Sequence, residues 1–177
     1  MKPIVTNRLI LRPITDDDAQ DIFAYSRNEN VGIHAGWKAH ANIDETREIM
    51  RIIFLNKENV YGIESKETGK LLGSIGLIAD PKRQNNNARM LGYAIGEEYW
   101  GKGYTTEAAQ RLINYGFEVL NLDLISSYCY PSNGRSKRVL EKCGFQYEGL
   151  LHLAEERYDG AVLDNECYVI INKKKQE

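Results

Sequence analysis

The stretch "RLILRPI" (8–14) alternates and is rich in branched side chains, which predicts a strand. The polarity then changes period. In "TDDDAQDIFAYSRN" (15–28), Thr15 and Asp18 stand at capping-box spacing and acids fill the first turn, so a helix follows with Ala19, Ile22, Phe23 and Ser26 as its inner stripe. The stretch 31–42 has no periodicity and reads as a loop. Residues 44–57 return to the helical period, with Ile49, Met50, Ile52 and Ile53 turned inward. Strands at 59–65 and 71–80 flank the turn "KETGK", a hairpin pattern, and another strand covers 88–96. A helix runs on to about Leu120, burying Ala108, Ala109, Leu112, Ile113, Gly116 and Phe117. A strand at 122–130, a helix at 132–143 ended by Gly144, and strands at 145–155 and 161–172 complete the chain, with "NKKKQE" as a solvated tail. Hairpins in the first half and alternation in the second predict a mixed α+β class and one domain over 1–177.

Composition narrows this only a little. A chain of 177 residues with 42% apolar and 27% charged positions is an ordinary globular sequence. The net charge of −2 argues against a protein that coats nucleic-acid phosphates with Lys and Arg. Cys129, Cys143 and Cys167 form no CxxC pair, and His34, His40 and His152 have no ligand spacing, so neither a disulfide framework nor a metal site is expected. The N-terminal stretch has no signal-peptide pattern and no apolar run reaches membrane-spanning length, which points to a cytoplasmic protein with no membrane partner. Oligomeric state is open between monomer and homodimer.

The unusual feature is "EEYWGKGYTTEAA" (97–109), where two glycines and a lysine precede a helix. No GxxxxGK[ST] loop occurs, and Thr106 stands where a dinucleotide fingerprint needs its third glycine. A plain strand-to-helix turn would explain the glycines alone. Tyr104, Thr105 and Thr106, however, leave the first-turn N–H groups accessible, and Lys102 places a cation at the positive end of the dipole, where it is unfavourable unless an anion joins it.

"GYAIGEEYWGKGYTTEA" (92–108), "NGRSKRVLEKCGFQYEG" (133–149) and "TNRLILRPITDDDAQDIF" (6–23) together resemble the GNAT superfamily of acetyl-CoA-dependent N-acyltransferases, in its RimJ/RimL branch. The family loop is written [QR]-x-x-G-x-[GA]; Glu98 departs from it in a side chain and leaves the backbone donors in place. The resemblance implies a single mixed, mostly antiparallel sheet whose central strands splay around coenzyme A. It implies that the amides of Gly101, Lys102, Gly103, Tyr104 and Thr105 cradle the diphosphate, and that the backbone around Ala94 and Ile95 bonds pantetheine. An amide near Ile95 is the candidate oxyanion donor. Arg135, Lys137, Arg138 and Lys142 give the following helix a basic face, for which a solvated surface is the alternative reading.

Direct acyl transfer to an amine needs a base for nitrogen and an acid for sulfur. The resemblance places the base at Glu155, Asn133 on pantetheine and Ser136 as acid, with Tyr128 and Tyr130 as alternatives. The plainer reading of Asn133 and Ser136 is helix capping, and of Glu155 a surface acid beside Glu156. Cys143 reads as packing. The loop "HAGWKAH" (34–40), with Trp37 and two histidines, is the candidate acceptor wall, and Trp100 is expected under the phosphate loop. The expected activity is acetyl transfer from acetyl-CoA to a small-molecule or protein N-terminal amine, without metal. A coenzyme A-binding regulatory or interaction domain without turnover is the alternative.

Overall fold

In the computed structural model, residues 1–175 are described, and the last two residues of the expected tail lie outside them. One eight-stranded sheet forms the centre, in the order β1-β2-β3-β4-β5-β6-β8-β7. Its strands are β1 (Ile4–Val5), β2 (Leu9–Arg12), β3 (Val60–Ser65), β4 (Leu71–Ala79), β5 (Ala88–Ile95), β6 (Leu124–Cys129), β7 (Gln146–Glu156) and β8 (Val162–Ile171). The helices are α1 (Ala19–Ser26), α2 (Glu29–Ala35), α3 (Ile43–Ile53), α4 (Tyr104–Glu118) and α5 (Gly134–Lys142). All neighbouring strands run antiparallel except β5 and β6. This is the expected α+β class.

The sheet separates two apolar clusters. On one face, Ala108, Ala109, Leu112 and Ile113 of α4 pack with Leu9, Ile63, Ile75 and Leu91. On the other, Ile22 and Tyr25 of α1 and Met50 of α3 pack with Leu71 and Ala94. The capping box at Thr15 and Asp18 forms as expected, although it opens a 3-10 turn that leads into α1.

Two expectations change. The stretch 31–42 is not wholly a loop, because α2 occupies Glu29–Ala35. Seven residues are too few for a periodic signal, but the ends are marked: Asn28 Oδ1 accepts from Asn30 N–H at 2.8 Å, and Gly36 closes the helix at φ 87°. In α3, Ile52 and Ile53 face outward, 67% and 45% exposed, whereas Thr46 and Met50 are buried. The helix ends there, with the N–H groups of Phe54 and Leu55 both donating to Met50 O, so the inner stripe passes to Phe54 instead of the isoleucines.

The feature that positions the site is the parting of β5 and β6. They pair only from Ala88↔Leu124 to Met90↔Ser126. Ser127 Oγ then donates to Leu91 O at 2.9 Å. Beyond it, β5 continues against β4 as far as Ile95, and β6 against β8 as far as Cys129. A gap opens between Tyr93–Ile95 and the end of β6.

Candidate active site

The glycine loop ends in the start of α4. Gly101 and Gly103 adopt φ 75° and 79°, a region that costs a residue with a Cβ atom. No side chain caps α4. Glu107, the acid in its first turn, is taken elsewhere: its carboxylate accepts from Thr6 Oγ1 at 2.6 Å and from Arg8 N and Nε at 2.7 Å. Arg8 Nη1 also donates to Lys102 O at 3.0 Å, which fastens the loop to β2. First-turn amides and a positive dipole end are therefore left for an anion.

Around that start lies a cleft of about 230 Å³. Of the expected coenzyme residues, Ala94, Ile95, Gly101, Gly103, Tyr104, Thr105, Asn133 and Ser136 line it, and Lys102 does not. The Lys102 ammonium lies 5.8 Å from the Tyr99 ring centroid. Arg135, Arg138 and Lys142 supply positive charge to the cleft, while Lys137 is held by Glu166 at 2.8 Å. Trp100 is wedged between the two core clusters, donates from Nε1 to Ile95 O at 3.0 Å, and carries the Arg135 guanidinium 3.9 Å above its ring. The Ile95 carbonyl is thus already engaged.

A second cleft, of about 510 Å³, opens on the other side of the gap. Both clefts are lined by His34, Ala35, Tyr93, Ala94, Asn133 and Ser136. Asn133 caps α5, accepting from Ser136 N at 3.1 Å, and its Nδ2 donates to His34 O at 3.4 Å. The capping role is therefore real, and it does not remove the residue from the cleft wall. Ser136 Oγ is 2.8 Å from the Tyr93 hydroxyl. Burial holds the Tyr93 pKa well above the ordinary tyrosine value, with the Ser136 contact offsetting part of the effect, so the phenol keeps its proton. Tyr93 escaped the sequence reading because an aromatic inside a strand reads as core.

Glu155 lines the second cleft only. A bulge between Leu151 and Glu155 resets the register of β7 against β8 before Glu155 pairs with Leu163. Its Oε1 accepts from Tyr130 at 2.7 Å and its Oε2 from Asn165 Nδ2 at 3.2 Å. Burial first, and then the Glu155 bond, raise the Tyr130 pKa, so this tyrosine is a donor to the carboxylate. Gly36 at the end of α2 closes over the pair: a Cβ there would meet Tyr130 Oη at 2.9 Å and Glu155 Oε1 at 3.0 Å.

The remaining candidates divide. Trp37 and His34 line the second cleft, but His40 is buried with Nδ1 2.9 Å from Thr46 Oγ1. Tyr128 donates to Asp80 at 2.9 and 3.0 Å. Burial pushes the thiols of Cys129 and Cys143 up to about 11, which leaves them protonated and poor nucleophiles.

Parted strands above an open helix start leave two clefts that share a wall at the gap. Residues 8–146 match the family described as "Acetyltransferase (GNAT) domain", and the chain belongs to that family. It is 33% identical to the uncharacterized N-acetyltransferase YoaA of Bacillus subtilis (strain 168), over 99% of this chain and 100% of the relative. It is 26% identical to the spermidine N(1)-acetyltransferase of Vibrio cholerae, over 96% of each. The solved GNAT-family acetyltransferase of Bacillus anthracis superposes with a TM-score of 0.86 at 24% identity, covering 97% of this chain and 99% of that one. The protein is an acetyltransferase of a family that transfers acyl groups from acetyl-CoA to amines.

Proposed function

We propose that this chain acetylates a primary amine by direct transfer from acetyl-CoA, with coenzyme A held in the first cleft and the acceptor entering through the second. The observation that carries this reading is the position of Ser136 on the wall both clefts share, while Glu155 stands only on the acceptor side. The amides of Gly101, Gly103, Tyr104 and Thr105 hold the diphosphate, and Arg135, Arg138 and Lys142 add positive charge. Asn133, Ala94 and the backbone near Ile95 orient the pantetheine. The one continuous sheet supports treating 1–177 as one catalytic domain.

The acceptor nitrogen forms a bond to the thioester carbon while the carbon–sulfur bond breaks. Glu155 takes the proton released by nitrogen, directly or through a water. Ser136 gives its proton to sulfur, and the Tyr93 phenol donates to Ser136 Oγ so that the serine proton faces the cleft. An acceptor that enters as the ammonium first loses one proton to solvent by way of Glu155, so that the neutral amine attacks. Exchange with water restores Glu155 and Ser136, and the net change moves one proton from nitrogen to sulfur and releases one to solvent. The amide near Ile95 is the donor for the developing oxyanion.

Thermal shift with acetyl-CoA, coenzyme A and NAD, followed by thiol release with amines, tests the reading. Stabilisation by acetyl-CoA and amine-dependent thiol release are expected. Stabilisation by NAD alone would overturn it.

A further inference from the structure

The wall of the second cleft is built mostly of carbon. Val60 is buried in that wall, Met90, Phe54 and Trp37 are half-buried along it, and Ile53 and Ile78 are its exposed apolar members. Ile53 and Ile78 are 45% and 41% exposed, which leaves apolar surface at the cleft. Ile52, beside Ile53 on α3, does not line the cleft.

Charge is unevenly placed. Among the described residues lining the cleft, Glu155 is the only carboxylate, and the cationic side chain is Lys82, whose ammonium lies 4.6 Å from the Tyr128 ring centroid. Asp80, next to Lys82 in sequence, is buried and spent. It accepts from Ser126 Oγ, from both approaches of Tyr128 Oη and from Lys82 N, and it stands 3.3 Å from Arg83 Nε. A cation reaching that end of the cleft would meet Lys82, while Asp80 does not line the cleft and already stands beside Arg83.

We infer that the acceptor is a primary amine carrying one positive charge and an apolar body, the nitrogen at Glu155 and the body against Ile53, Ile78 and Trp37. This deepens the transferase reading and rests on it. It separates the chain from polyamine chemistry, the acceptor named for the Vibrio cholerae relative, because a second ammonium has no free carboxylate to meet among these residues. The same chemistry is offered by a small apolar amine and by a peptide N-terminus with an apolar first residue. A cleft of about 510 Å³ accommodates either.

The test uses the full chain, acetyl-CoA and five acceptors: phenethylamine, leucinamide, a tetrapeptide beginning with Leu, one beginning with Asp, and spermidine. Thiol release and product mass are measured. Apolar-bodied amines are expected to exceed spermidine and the Asp peptide by about tenfold or more in kcat/KM, and the small-amine and Leu-peptide arms identify the source. Ile53→Asp should reduce turnover of the apolar acceptors by about tenfold with KM for acetyl-CoA unchanged, while Ile52→Asp should not. Preference for spermidine, or equal rates for both variants with apolar acceptors, would overturn the acceptor class alone. Acetyl-CoA binding without turnover of any amine would overturn the transferase reading beneath it.

Discussion

The hydroxyl of Tyr93 on β5 lies 2.8 Å from Oγ of Ser136 on α5, across the gap where β5 and β6 have parted. In the proposed mechanism the buried, protonated phenol is the donor to the serine oxygen, which leaves the serine's own hydrogen to point at a third atom. Ser136→Ala should lower kcat by about 100-fold or more, the usual range for loss of an acid–base group. Tyr93→Phe should lower kcat by a smaller factor with little change in KM for acetyl-CoA. The double variant should be no slower than Ser136→Ala, because both remove one function. Steady-state thiol release measures all three. Multiplying deficits would separate Tyr93 from the serine, and wild-type turnover by Ser136→Ala would remove the serine from the chemistry.

Glu155 has both oxygens engaged, by Tyr130 and Asn165, and still faces the acceptor cleft. The demand on it depends on the acceptor. An α-amine with a pKa of about 7.7–8.0 is roughly a quarter neutral near pH 7.4, whereas an amine near 10.4 is neutral only about once in a thousand molecules. Glu155→Gln should therefore slow transfer by about 100-fold or more where the amine is protonated, and the deficit should shrink as pH rises through the acceptor's pKa. For an α-amine that recovery begins near pH 8; for an alkylamine it lies beyond about pH 10. The pH dependence of kcat/KM for one acceptor of each kind checks it. A deficit that does not vary with pH would mean that Glu155 positions the substrate and does not take its proton.

Gly103 combines φ 79° with the place where α4 begins. A valine there meets strain of about 1–2 kcal/mol in the left-handed region and fills space an anion needs. Gly103→Val should lose at least about tenfold in coenzyme A affinity along with that stability. Gly160, at φ 83° in the turn from Arg157 to Ala161, supplies the control, since it carries the same strain far from the loop. Gly160→Val should lose comparable stability and bind coenzyme A normally. Isothermal titration and urea unfolding on both variants separate the two effects, and normal binding by Gly103→Val would reduce the loop to a turn.

Much of the architecture was legible because it rests on local chemistry. The alternation at 8–14, the α4 stripe from Ala108 to Gly116 and the capping box at Thr15 each depend on neighbours in the chain, and each forms. What periodicity missed was short or tertiary. The seven residues of α2 carry only their end markers, Asn28 and Gly36. Ile52 and Ile53 fit a helical stripe, but α3 stops before that stripe can pack, and Ile53 turns to the cleft instead. The gathering of Ser136 and Glu155 about one pair of clefts came from the resemblance, since 19 positions of sequence say nothing of distance in space. Tyr93 and Asn165 reach them only through sheet register, with partners 43 and 10 residues away.

Arg12 ties the first hairpin to α1 by a two-bond contact with Asp18, at 2.8 and 2.7 Å, while its Nε is paired with Glu64. Burial alone would raise the Asp18 pKa, but the bonds from Arg12 and Thr15 more than offset it and hold the carboxyl below its ordinary 3.8. A carboxyl whose folded pKa is depressed contributes stability that is complete above its unfolded value. That contribution disappears as pH falls through the folded one. Asp18→Asn should therefore cost about 2 kcal/mol near neutral pH, in the range of hydrogen bonds to charged groups, with Glu64 still holding Arg12. The difference from wild type should narrow below pH 3.8 as the native carboxyl protonates. Urea unfolding of both proteins at neutral pH and at about pH 3 measures it. An equal loss at both would assign the cost to the cap's geometry at Thr15 and not to the ion pair with Arg12.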